Sequence, residues 1–172
     1  MSAPSPFSAA SYTLELAADP AAAFVLTPMP EREASALGGA FAAIDPWASY
    51  GYPASALAAY LKKHEPGAPR FLLTLEGEVA GALGLRVEWL RGSYIQFLGI
   101  LPPFQRRGLG RTLLAWIEAE ARAVKDRNLW VAASDINVEA IRFYERHGFA
   151  QTARLGDLVY DGRTEILLRK RL

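Results

Sequence analysis

A strand, a glycine-bearing loop, a long helix and a second strand follow one another between Tyr94 and Ala133, and this order constrains the fold more than any other feature. Tyr94 to Leu101 reads as a strand. Gly108 to Lys125 places Leu109, Leu113, Trp116, Ile117 and Val124 on one stripe and Glu118, Glu120 and Arg122 elsewhere, as an amphipathic helix does. Leu129 to Ala133 is a short apolar run of buried-strand type. Two strands joined through a helix are expected to be parallel neighbours linked by a right-handed crossover. Upstream, Phe71 to Leu75 and Val79 to about Trp89 are bounded by the compact turns Glu76-Gly77-Glu78 and Arg91-Gly92-Ser93, which predicts an antiparallel meander running into Tyr94.

The remaining pieces fit an α/β domain. Phe24-Val25-Leu26 reads as a strand stopped by Pro28 and Pro30, Glu31 to Ala43 as a helix broken by Asp45-Pro46, and Ser55 to Lys63 as a second helix with Leu57, Tyr60 and Leu61 at helical spacing. Asn137 to Arg146 is another helix, and from Phe149 onward two closing strands turn about Asp161-Gly162. The sum is a mixed central sheet of about six or seven strands flanked by about four helices. With 172 residues, 51% of them hydrophobic, the chain suffices for one core. We expect residues 21–172 to form a single domain. Residues 1–20, rich in Ala, Ser and Pro, are a candidate flexible extension, although Tyr12 to Leu16 alternates like a short strand.

Charge and composition exclude several functions. A formal net charge of +1 provides no global field for nucleic acid or an anionic membrane. No cysteine occurs, so disulfides, thiolate metal sites and a cysteine nucleophile are all out. The two histidines, His64 and His147, have no partners at metal-ligand spacing. No apolar run approaches the roughly 20 residues that span a bilayer, and the start lacks a signal-peptide pattern, so a soluble, cytoplasmic protein is expected.

The sharpest local feature is Pro102-Pro103-Phe104-Gln105-Arg106-Arg107-Gly108-Leu109-Gly110-Arg111, where a strand ends and the long helix begins. Glycines there let the backbone approach a ligand, and the unpaired amides of the first helical turn favour a phosphate. The alternative is a plain turn with solvated arginines. No Gly-Lys-Ser/Thr follows, and Leu113 stands where a dinucleotide fingerprint needs its third glycine.

Leu98-Gly99-Ile100-Leu101-Pro102 followed by Gln105-Arg106-Arg107-Gly108-Leu109-Gly110 resembles the acetyl-CoA signature of the GNAT superfamily of N-acyltransferases. A second segment, Asn137-x-x-Ala140-x-x-Phe143-Tyr144-x-x-His147-Gly148-Phe149, resembles that family's helix after its fifth core strand. The resemblance implies a GNAT-like sheet that splays where two parallel strands part, with the pantetheine arm of acetyl-CoA lying along the edge Leu98, Gly99 and Ile100. It also implies a bulge in that strand, a diphosphate on the loop from Gln105 through Arg111, and cofactor contacts from Asn137 and Ala140. Gly99 would relieve crowding at the arm. Tyr144 would protonate the departing thiolate, and the acetyl group would pass directly to an amine. On helix spacing alone, Asn137, Ala140 or Ile141, and Tyr144 share a face, with Asn137 and Tyr144 about 10 Å apart along the axis.

The local alternatives are a capping role for Asn137 and a core role for Tyr144. Gln96 is neutral where some relatives carry a glutamate, so Glu88, Asp135 and His64 stand as candidate bases. His147 reads as a helix-end residue. The aromatics Trp47, Tyr50 and Tyr52, with Asp45, are candidates to hold the amine or simply to pin their loop, and Asp157 and Tyr160 are candidates for the opposite wall. A homodimer is a candidate assembly. The rival readings are a non-catalytic acyl-CoA-binding module and, using Arg106, Arg107, Arg111, Lys170 and Arg171, a nucleic-acid binder.

Overall fold

The structure is a computed structural model that describes residues 5–172. In chain order it comprises Tyr12–Leu16 (β1), Asp19–Pro28 (β2), Glu31–Ala42 (α1), Trp47–Tyr50 (α2), Ala54–Lys62 (α3), Arg70–Leu75 (β3), Glu78–Arg86 (β4), Gly92–Ile100 (β5), Leu109–Ala123 (α4), Asn128–Ser134 (β6), Val138–Arg146 (α5), Ala150–Gly156 (β7) and Thr164–Arg171 (β8). The strands form one sheet in the order β1-β2-β3-β4-β5-β6-β8-β7. Among the described residues only β5 and β6 pair in parallel, as the intervening helix α4 requires; every other neighbouring pair is antiparallel.

Alternation along the strands divides the core. Phe71, Leu73 and Leu75 of β3 join Leu109, Leu113 and Ile117 of α4 in one buried cluster, whereas Leu72 between them joins Leu37 and Phe41 of α1 and Leu57 and Leu61 of α3 in another. Leu113 and Ile117 are each 0% exposed, and burying such a side chain stabilises by roughly 1.5–3 kcal/mol. Changing one to a charged residue would therefore detach α4 from the sheet.

Three features depart from the sequence expectation. The sheet has eight strands rather than about six or seven, because β1 folds back on β2 with Tyr12 opposite Leu26. Tyr12 packs edge-on against Trp116 at 4.7 Å, and nearby Phe7, 3% exposed, meets the same indole at 5.3 Å. Residues 5–20 of the expected extension are thus built onto α4 and the sheet, while residues 1–4 lie outside the described residues. The aromatic loop contains a one-turn helix, α2, closed by Gly51 in the left-handed conformation. Finally, β4 ends at Arg86 and the turn lies before Gly92, since Trp89 and Gly92 exchange backbone hydrogen bonds of 2.8 and 3.0 Å. Gly92 and Ser93 then belong to β5, opposite Asn128 and Leu129. Among the described residues no helix is long and apolar enough to cross a membrane.

Candidate active site

Parallel pairing between β5 and β6 runs from Gly92–Asn128 to Ile95–Val131 and stops there. At the same place β5 bulges: Leu85 pairs with Ile95 and Gly84 with Phe97, leaving Gln96 without a partner. A bulge bends its strand, and beyond this one the two strands part, with Leu98, Ala132 and Ala133 lining the opening. Leu98 and Ile100 line the cleft, but a Cβ on Gly99 would lie 2.4 Å from the Phe41 ring, so its missing side chain makes room for α1 rather than for a ligand.

The loop after β5 is held by a side chain and left open by its backbone. Gln105 Nε2 donates to Ile100 O at 2.9 Å, tying the loop to the end of the strand. Gly108, the residue before α4, has φ of 87°, a conformation that favours glycine. No backbone carbonyl among the described residues accepts from the amides of Arg106 through Arg111; the first such bond is Thr112 N to Gly108 O, 3.0 Å. These amides and the positive end of α4 face a groove of about 880 Å³. Arg106 and Arg111 line it together with Arg142 and Arg146 of α5, while Asp45 and Glu139 sit on its rim. Arg107 turns aside to Glu76, 3.6 Å away. The fit to a diphosphate with an extended amide-bearing arm is therefore good: main-chain donors and arginines at one end, a parted strand edge at the other.

Asn137 caps α5 by accepting from Ala140 N at 3.2 Å, which leaves its Nδ2 able to donate. Asn137, Ala140, Tyr144 and Leu98 line both the groove and a second, inner cavity of about 230 Å³. Tyr144 thus stands where the two meet. It is 6% exposed, edge-on to Phe143 and Phe149, and its hydroxyl has no hydrogen-bond partner among the described residues. Burial, with a lesser contribution from Tyr94, raises its pKa above the ordinary phenol range and keeps it protonated.

The inner cavity is walled by α2, β5, β6, β8 and the β7–β8 loop. Trp47 stacks on Phe97 at 4.8 Å and tilts against Phe41 at 5.0 Å, so it both lines the cavity and fastens α2. Tyr50 and Tyr52 line it too, and Tyr160 stacks on Tyr50 at 5.4 Å. Tyr50 Oη hydrogen-bonds Ser134 Oγ and donates to Glu165 Oε1 at 2.6 Å. Burial and then the bond to Glu165 push the Tyr50 phenol up to about 12. Burial likewise raises the pKa of Glu165, against the lowering effect of that bond.

Of the bases considered from sequence, none lines this cavity. Glu88 lies in the β4–β5 turn, His64 lines a separate hollow beside Phe7, and Asp135 pairs with Arg154 at 3.7 Å. His147 Nδ1 lies 2.7 Å from Phe143 O at the end of α5. Sequence reasoning missed Arg142, Arg146, Ser134 and Glu165. The arginines stand four apart in the second signature helix, a spacing that puts them on one face. Glu165 is the one charge in Thr164-Glu165-Ile166-Leu167-Leu168, and its register opposite Ser134 brings it to the parted strands.

The acetyltransferase (GNAT) family matches residues 35–149. An N-acetyltransferase of uncharacterised role from Lactobacillus delbrueckii subsp. lactis is 32% identical over 118 residues, covering 62% of this chain and 66% of its own length. A GNAT-family protein from Desulfovibrio desulfuricans shares the fold with TM-score 0.70 at 23% identity, covering 88% of this chain and 99% of its own. A GNAT acetyltransferase from Elizabethkingia anophelis, seen with acetyl-CoA bound, matches with TM-score 0.56 at 18% identity over 62% of this chain and 77% of its own. The chain belongs to the GNAT acetyltransferase family, an enzyme family whose acyl donor is acetyl-CoA.

Proposed function

We propose that this protein is an N-acetyltransferase that passes the acetyl group of acetyl-CoA directly to a primary amine, with Tyr144 as the acid that protonates the leaving thiolate. The observation that carries this reading is the position of Tyr144, which lines both the arginine-rimmed groove and the inner cavity. A thioester reaching from the groove meets an amine in the cavity beside one buried, protonated phenol. The main-chain amides from Arg106 to Arg111 would take the diphosphate, the edge at Leu98 and Ile100 the amides of the arm, and Asn137 Nδ2 a carbonyl of the arm. The amide freed by the bulge at Gln96 is suited to polarise the thioester carbonyl. With no cysteine in the chain, the acetyl group has no cysteine thiol on which to pause.

Titrating acetyl-CoA while following thermal unfolding, and then assaying thiol release with a panel of amines, tests the proposal. We expect the melting temperature to rise with acetyl-CoA, and CoA thiol to appear in step with an acetylated amine. Thiol release that is independent of amine, or no rise at acetyl-CoA concentrations far above micromolar, would refute it.

A further inference from the structure

The inner cavity is unlike the groove in charge. Arg106, Arg111, Arg142 and Arg146 surround the groove, but among the described residues no lysine or arginine lines the cavity. Among the described residues that line it, the single formally charged one is Glu165, 8% exposed, which shares the lining with Trp47, Tyr50, Tyr52, Tyr94, Phe97 and Tyr144. Arg163 lies 5.9 Å over the Tyr50 ring but does not line the cavity, and Asp135 is engaged by Arg154 outside it. One bond from Tyr50, a phenol that stays protonated at neutral pH, satisfies only one carboxylate oxygen of Glu165. A buried carboxylate has up to four acceptor positions and needs more than one donor. Aromatic walls around a single buried carboxylate form a receptor for a cation.

From this geometry we propose that the acceptor is a small alkyl- or arylalkylamine with no carboxylate or phosphonate beside its nitrogen, and that Glu165 binds the incoming ammonium and removes its proton. The proposal rests on the acetyl-transfer reading for its chemistry. The ammonium gives one proton to Glu165 and becomes a neutral amine. Its lone pair forms the C–N bond at the thioester carbonyl, the C–S bond breaks, and the sulfur takes the Tyr144 proton. The second nitrogen proton restores Tyr144, and the proton on Glu165 passes to solvent. An anion next to the nitrogen would face Glu165 with no cation to receive it. The size agrees: about 230 Å³ falls below the roughly 300–1,000 Å³ of sites for drug-sized ligands. Exposed Leu158 and Val159 at the mouth offer apolar contact for the body of such an amine.

Isothermal titration of the CoA-saturated protein with phenethylamine, 2-phenylethanol and phenylalanine separates the cation from its neutral and zwitterionic counterparts. We expect phenethylamine to bind at least about tenfold more tightly than either, and Glu165→Gln to erase its advantage over the alcohol. Tyr50→Phe, which leaves the carboxylate in place, should keep the preference for the amine. Equal binding of the alcohol or of phenylalanine, no binding of phenethylamine, or a Glu165→Gln protein that still prefers the amine would each overturn the proposal. The wild-type comparison decides the ligand class even if the glutamine variant fails to fold. Acetyl-CoA binding is read separately, so failure of the acetyl-transfer reading and failure of this one leave different records.

Discussion

The groove and the inner cavity meet at one tyrosine yet are built by different means. The groove takes its main-chain donors from a contiguous stretch, the β5 edge and the loop into α4, with Asn137, Arg142 and Arg146 of the α5 segment beside them. The cavity takes side chains from elements distant in sequence: Tyr50 joins Ser134 and Glu165 across 84 and 115 positions. Recognition by backbone tolerates side-chain change but not a change of backbone conformation. Recognition by assembled side chains is open to retuning by single substitutions.

That contrast fails or sharpens according to how variants divide. Tyr144→Phe, at the junction, should lower turnover by about 10²-fold or more in thiol-release assays while calorimetry finds acetyl-CoA affinity little changed. Equal loss of both would make Tyr144 a packing residue of the groove. Gly99→Ala lies on the strand edge, yet we expect a packing effect: its Cβ meets Phe41, so thermal unfolding should report a loss of about 1–3 kcal/mol, with no selective loss of acetyl-CoA binding. Gly108→Ala must hold φ of 87° with a side chain, at a cost of roughly 1–2 kcal/mol, and acetyl-CoA affinity should fall about tenfold while binding of amines to the cavity stays put. Arg111→Ala removes one charge beside the main-chain donors; titrations should find a loss of only about two- to fivefold, smaller at high salt.

The smallest effect is one of pH. The pKa of Glu165 is raised in the folded state, so the proton is held more tightly there than in the unfolded chain. Its contribution to stability is fully present below the ordinary glutamate pKa of about 4.3 and is lost as pH rises through the raised value. The melting temperature of the wild type relative to Glu165→Gln should therefore decline with rising pH over that window. A flat difference would mean that the fold does not raise the Glu165 pKa.

Much of the groove was legible in sequence because its parts are local. Gln105 to Gly110 fixes a loop geometry by itself, and Asn137 to Tyr144 sets a helix face. The meander and the parallel pair followed from short turns and one long amphipathic stripe. What escaped was whatever depends on register or on packing between distant segments. The role of Gly99 depends on where Phe41 of α1 lands, and β1 needed Trp116 as a partner before its five residues could be told from an extension. Glu165 reads as one polar position in a closing strand until pairing sets it opposite Ser134. The aromatics singled out in that segment line the inner cavity, but its helical turn could not be told from a loop over four residues.

Amide hydrogen exchange with and without acetyl-CoA tests the central claim most directly. If the cofactor is held by main chain between the parted strands, protection should appear at Arg106 through Arg111 and along Leu98 to Ile100, with β1, β2 and α3 unchanged. Exchange at those amides that acetyl-CoA leaves unaltered, although it binds, would contradict the account.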